Sequence, residues 1–292
     1  MALPTTSTSV TFPAGATTGE SRVLAAPVLP DGRSALIVAQ TPFHPLDHTW
    51  PDQPADTGTV RVGGVELAVV DCVTAAVGPD GTFAVAEEIP VRRGDETWAW
   101  LALHVVEGGA GDPADLIGAT AELVVDAERR ARLSAAHTSC HILAFALNAV
   151  LAPRWRKEVR TDSLGRPDFD NLAITRSRMD ESGSRDDYRI GKSLRKKGFT
   201  SEGLDADLPG VRDEVEALLA QWLKTDADVR IEVPDPALTA RRVWHCGLPD
   251  GDAHIPCGGS HLGRLGELRS LAVDLTMDAD GGLVATTRPE RA

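Results

Sequence analysis

Ala127-Glu-Arg-Arg-Ala-Arg-Leu-Ser-Ala-Ala-His-Thr-Ser-Cys-His-Ile-Leu-Ala-Phe-Ala-Leu-Asn-Ala-Val150 decides how the chain is divided. It is rich in Ala and Leu and free of Gly and Pro until Pro153, which predicts one long helix. Ser134 is a candidate cap or interruption. His137 and His141 are four residues apart, so a helix carries both imidazoles on one face.

Upstream of this helix the pattern is β. Runs at 23–28, 35–39, 60–70 and 98–106 are short and rich in Val, Leu and Ile. Turn chemistry at 30–32, 78–81 and 107–113 separates them, which predicts a small barrel or sandwich. Downstream, a second helix is predicted over 211–224, after Pro209-Gly210. Strand-like runs follow at 229–233, 242–244 and 270–277. The whole reads as α+β.

Cys257-Gly-Gly-Ser-His261 falls between two of these runs, on a turn. Gly258 and Gly259 permit a tight backbone path that turns both flanking side chains toward one point. With His137 and His141, the motif offers three imidazoles and a thiolate, a natural donor set for Zn2+. Other zinc patterns fail. A zinc protease needs His-Glu-x-x-His, and Thr138 stands where the glutamate belongs. A zinc deaminase needs Pro-Cys-x-x-Cys, and Ser260 replaces its second cysteine. No close Cys-x-x-Cys pair suggests a zinc ribbon. Four protein donors favour a structural ion, whereas catalytic zinc keeps a position open. His245 and His254 are spare histidines, and His254 is a candidate orienting partner for the site.

The net charge of −13 argues against indiscriminate nucleic-acid binding. Its distribution is uneven. Between Arg154 and Lys197 thirteen Lys and Arg face eight Asp and Glu, so this segment carries +5 and the rest −18. Such a segment can dock a polyanion or form a solvated loop of mixed charge. No run of 18 apolar residues predicts a membrane span. The first ten residues lack the charged head and apolar run of a secretory signal. Four cysteines make no disulfide framework, and a cytoplasmic location is expected.

Three segments, in order, resemble the editing domain of alanyl-tRNA synthetase and the free-standing AlaX proteins. Val125-Asp-Ala-Glu-Arg-Arg through His137-Thr-Ser-Cys-His141 resembles the helix entry that opens that domain. Cys257-Gly-Gly-Ser-His261 resembles its Cys-Gly-Gly-Thr-His motif. Phe43-His-Pro and Gln53-Pro-Ala-Asp-Thr-Gly-Thr-Val resemble its N-terminal Phe-Tyr-Pro and Gly-Gln-Pro-x-Asp-x-Gly segments. The resemblance implies a small β-barrel over 1–120. An α+β editing domain, shared by threonyl- and alanyl-tRNA synthetases, would follow over 121–292, with a basic insertion at about 154–200. It implies Zn2+ held by His137, His141, Cys257 and His261. It also implies an aminoacyl-tRNA deacylase acting in trans on an aminoacylated tRNA that accepts alanine or threonine.

Gln53, Asp56 and Thr138 are then candidate catalytic or pocket residues. Gln53 and Asp56 can equally fix a strand-entry turn, and Thr138 can face away from a substrate. Arg154, Arg156, Lys157, Arg160, Lys192, Arg195, Lys196 and Lys197 are candidate tRNA contacts. The chain departs from the pattern at Trp50-Pro51-Asp52, where the family has glycines, and at Leu46-Asp-His. Those departures reshape the pocket wall. They are compatible with the branch that handles unusual amino acids on threonine tRNA, fluorothreonine included. Two other readings keep the metal: a zinc-stabilised RNA-binding module without turnover, and a metal-dependent esterase of small molecules.

Overall fold

A computed structural model describes residues 3–29, 31–108 and 113–292. Pro30 of the first expected turn and residues 109–112 of the third lie outside the described residues. The fold is α+β, as the sequence predicts, and the chain forms two units. Unit 1 comprises Met1–Arg130, Val233–Arg242 and Gly258–Ser260; unit 2 comprises Ala131–Glu232, Val243–Cys257 and His261–Ala292.

Unit 1 contains β1 (Ser9–Val10), β2 (Thr18–Ala25), β3 (Ser34–Val38), β4 (Gln40–Thr41), β5 (Gly58–Val62), β6 (Val65–Val77), β7 (Phe83–Val85), β8 (Ala99–Glu107) and β9 (Thr120–Val125). Six of them close on themselves in the order β5-β9-β2-β3-β8-β6, with β6 pairing back onto β5 and β7 added at the edge of β6. Every ladder of the ring is antiparallel. Closure depends on β6. Its first half pairs with β5 through Val65–Val69, its second half pairs with β8, and the register shifts between Val69 and Asp71. A bulge of this kind bends a strand enough to serve two partners, and closure leaves the ring no open edge. Alternate residues of β3 and β8 feed separate clusters. Leu36, Val38 and Trp100 join one, and Ile37, Leu101 and Leu103 the other.

The run 60–70, expected as one strand, is a hairpin. Gly63 and Gly64 have φ of 60° and 79°. Positive φ at both central residues is what a two-residue primed turn requires. β-rich residues on both sides of Gly-Gly suggest one strand, but the pair itself marks the reversal.

Helix α1 (Ala127–Val150) begins in unit 1 and continues into unit 2. It is long and apolar enough to cross a membrane by length and composition, but most of its apolar window is buried inside the protein. Unit 2 continues with α2 (Phe169–Ala173), β10 (Ile174–Asp180), β11 (Gly183–Tyr188), α3 (Lys192–Lys196), α4 (Leu204–Leu223), β12 (Val229–Glu232), β13 (Val243–Leu248), β14 (Gly251–Pro256), β15 (Leu268–Met277) and β16 (Leu283–Arg291). One sheet runs β10-β11-β16-β15, and a second runs β12-β13-β14. Their core includes Leu143, Leu147, Phe169, Trp222, Trp244 and Leu271.

Two expectations change here. Helix α4 starts at Leu204, not at 211, and runs through Pro209. Leu204, Leu208, Val211, Val215, Leu219 and Trp222 form one buried stripe. Burying two more leucines, about 1.5–3 kcal/mol each, offsets the hydrogen bond that Pro209 removes. The basic segment is no loose loop, since α2, α3 and the β10–β11 hairpin lie within it.

Candidate metal centre

Helix α1 presents His137 and His141 one turn apart, with ring centroids 4.8 Å from each other. Chain leaving β14 supplies Cys257 and His261. The Cys257 Sγ lies 3.4 Å from His137 Nε2 and 3.4 Å from His261 Nε2. One donor atom from each of the four residues falls within 4.8 Å of the others. The structure brings these four side chains together.

The arrangement fits a divalent ion. Zinc bonds of about 2.0–2.1 Å to nitrogen and 2.3 Å to sulfur, at tetrahedral angles, place N and S about 3.5 Å apart. Both N···S separations match that spacing. His141 is buried, and burial, with His137 beside it, pushes its pKa well below the ordinary histidine value. It is therefore neutral, the form that binds metals. Among the described residues its Nδ1 has no hydrogen-bond partner. These residues can hold a metal ion.

A supporting layer surrounds the donors. Thr138 Oγ1 accepts the Leu262 backbone N–H at 3.1 Å and lies 3.3 Å from His261 Nδ1. That contact leaves His261 Nε2 on the Cys257 side, and a partner on the second nitrogen is how ligating histidines are oriented. The Trp244 ring meets His141 edge-on at 4.8 Å and is fully buried, so it keeps water from that flank.

The other predicted residues are placed differently. Thr138 supports His261. Asp56 is buried, takes Arg130 in a two-pronged ion pair and accepts the His44 N–H. Gln53 is also buried, and its amide both donates to Ser260 Oγ (2.8 Å) and accepts the Ser260 N–H (3.0 Å). In the chain, Ser260 lies between Cys257 and His261. His254 does not approach the four donors as an orienting partner. It pairs across the sheet with His245, and its Nδ1 lies 3.2 Å from the Asp252 carbonyl oxygen.

Sequence reading missed Arg130, Trp244 and Ser260. Arg130 had a signal in the arginine pair at the helix entry and Ser260 in the Cys-Gly-Gly-Ser-His motif, whereas Trp244 had none.

Two cationic stretches run side by side. Trp155 bridges Phe199, and Arg156 N–H donates to the Gly198 carbonyl. This places exposed Arg156 and Lys157 beside exposed Arg195, Lys196 and Lys197. Lys192 is exposed at the start of α3, and Arg160 pairs with Asp168. Arg154 is different. It is half-buried and holds Asp207 and the carbonyls of Thr200 and Glu202.

No protein-family model matches the sequence. Over 257 residues, 80% of its length, the chain is 30% identical to an alanine–tRNA ligase of Caldivirga maquilingensis. The chain resembles part of an alanine–tRNA ligase. It spans about a fifth of that protein's length (22%). The similarity relates the chain to a domain of that synthetase, in line with the barrel and the α+β unit described above.

Proposed function

We propose that the protein is a metal-dependent aminoacyl-tRNA deacylase acting in trans. It would hydrolyse the ester between tRNA and a small or unusual amino acid. The convergence of His137, His141, Cys257 and His261 carries the reading, and the similarity to a tRNA ligase supports the substrate class. The organisation that goes with it is a barrel domain over 1–120 and an editing domain over 121–292. Fluorothreonine is a finer candidate substrate, alongside alanine, serine and threonine. It rests on Trp50-Pro51-Asp52 in place of the expected glycines.

The four donors would hold Zn2+, which supplies positive charge for polarising an ester carbonyl or lowering the pKa of water. The chain's own residues do the rest. Thr138 orients His261, and Trp244 excludes water beside His141. An aminoacyl ester is already activated, so positioning and charge stabilisation suffice. Arg156, Lys157, Lys192, Arg195, Lys196 and Lys197 would meet tRNA phosphates, with Arg160 at their margin.

The test is a panel of mischarged tRNAs, following release of each amino acid. His141→Ala should lose bound metal and hydrolysis together. Full hydrolysis by metal-free protein would overturn the reading. Release from no tRNA, with RNA binding intact and chelation unfolding unit 2, would favour a zinc-stabilised RNA-binding module. The closed set of four donors is the observation that supports that alternative.

A further inference from the structure

The outer face of the β12-β13-β14 sheet carries a second donor cluster. His245 and His254 are direct cross-strand partners, so their side chains share a face. Asp252, two residues before His254, shares it too, and so does Glu232, two beyond Arg230, the partner of His245 on β12. Trp244 points the other way, toward His141. The cluster therefore lies on the opposite face of β13 from the ring that meets the first centre.

His245 Nδ1 lies 2.8 Å from Asp252 Oδ2, and His254 Nδ1 lies 3.9 Å from the same oxygen. The two rings are 5.6 Å apart. One donor atom from each of the three residues lies within 4.8 Å of the others. Cis ligands at bonds of about 2.1 Å sit about 3–3.5 Å apart, so small rotations of exposed His254 bring the three into range. The fourth residue is placed as an orienting partner. Glu232 Oε2 stands 3.4 Å from His245 Nε2, the ring nitrogen turned away from Asp252. That nitrogen is buried and, among the described residues, makes no hydrogen bond, so Glu232 faces it as an ion-pair partner. A carboxylate on the second nitrogen is the usual companion of a ligating histidine. His254 is also fixed at its backbone, where its N–H donates to Ser163 Oγ at 2.8 Å.

We propose that His245, Asp252 and His254 form a second, solvent-accessible site for a divalent transition metal. Two imidazoles and one carboxylate select Zn2+, Co2+ or Ni2+ over Mg2+ and Ca2+, which prefer oxygen. With three protein donors, coordination positions remain open to water or to an anionic ligand such as a phosphate. This site is independent of the first centre and of the deacylase reading.

The test uses untagged full-length protein titrated with Co2+, with bound metal counted by mass spectrometry. Wild type should bind two equivalents, the second more weakly. Cys257→Ser should lose the thiolate-to-cobalt absorption band and keep the weak equivalent. His254→Ala should keep the band and lose the weak equivalent. Glu232→Gln should keep both and weaken the second about tenfold or more. An excess of Mg2+ should not compete. A single equivalent in wild type that His254→Ala retains, or a weak equivalent untouched by both His254→Ala and Asp252→Asn, would overturn the proposal. Loss of deacylase activity alone would leave it standing, because its readout is metal stoichiometry.

Discussion

At the scale of single residues, Thr138 is the most informative position. The sequence places it between two histidines, where a contact with substrate is one natural reading. Its Oγ1 instead accepts the Leu262 N–H and meets His261 Nδ1. Thr138→Val keeps the shape and removes the acceptor. It should weaken metal binding about 10–100-fold and cost about 1–3 kcal/mol of stability through the orphaned Leu262 N–H. Thr138→Ser should restore both. Competition with a chelating dye and urea denaturation would measure them, and wild-type affinity in the valine variant would remove Thr138 from the support of His261.

His104 supplies a pH signature. It is fully buried, with Thr41 Oγ1 at 2.7 Å from Nε2 and the Leu36 carbonyl at 3.1 Å from Nδ1. Burial lowers its pKa from 6.5 to about 4. Between those values the unfolded chain binds a proton that the folded chain does not. Its contribution is therefore complete above pH 6.5 and is lost as the pH falls toward 4. The loss should approach about 3 kcal/mol, and His104→Gln should show a shallower decline in urea denaturation. Equal slopes would show that His104 does not titrate on unfolding.

The four candidate donors were legible because each pair is local in sequence, four residues apart. The partner of Asp56 was not, because Arg130 lies 74 residues away.

At the scale of elements, Gly58 explains part of the Gln53-to-Val60 motif. A Cβ there would collide with the Val124 carbonyl oxygen, across the β5–β9 ladder. The glycine is required by space, not by a left-handed backbone. Asp56, two residues earlier, is held by Arg130, so both positions secure the barrel. Gly58→Ala should separate β5 from β9 and open the ring. Melting should fall by more than the 4–8 °C that about 1 kcal/mol produces in a small domain, and amide exchange in β5 and β9 should accelerate. Unchanged protection there would show that the ladder tolerates the methyl group.

Legibility at this scale followed local composition. Helix α1 was readable because it lacks Gly and Pro. The β5–β6 hairpin was legible at Gly63-Gly64, between the alternating runs Val60-Arg-Val and Val65-Glu-Leu, although β-rich residues on both sides suggest one strand. The start of α4 was hidden because Pro209 and Gly210 imitate a helix boundary, and only the tertiary stripe from Leu204 to Trp222 overrides them.

At the scale of the whole molecule, the charge distribution was legible and its geometry was not. A count gives +5 over 154–197 against −13 for the chain. It cannot tell that Arg154 is consumed by Asp207, or that Trp155 and Phe199 bring Arg156 and Lys157 beside Arg195, Lys196 and Lys197. The outcome is a local cluster of exposed cations on an acidic protein. On the proposed reading such a surface would hold RNA by counterion release, so binding would weaken as salt rises. Long-range repulsion from the remaining acidic surface is screened beyond about 8–10 Å at physiological salt. Contact phosphates therefore decide the affinity more than net charge does.

Replacing Arg195, Lys196 and Lys197 together by glutamate should leave thermal stability within about 0.5 kcal/mol per site, because the side chains are exposed. It should lower tRNA affinity steeply at low salt. If all three meet phosphates, the slope of log K against log[KCl] should become shallower by about two to three. Filter binding at several KCl concentrations reads both quantities. An unchanged slope would move the tRNA-docking surface away from this cluster.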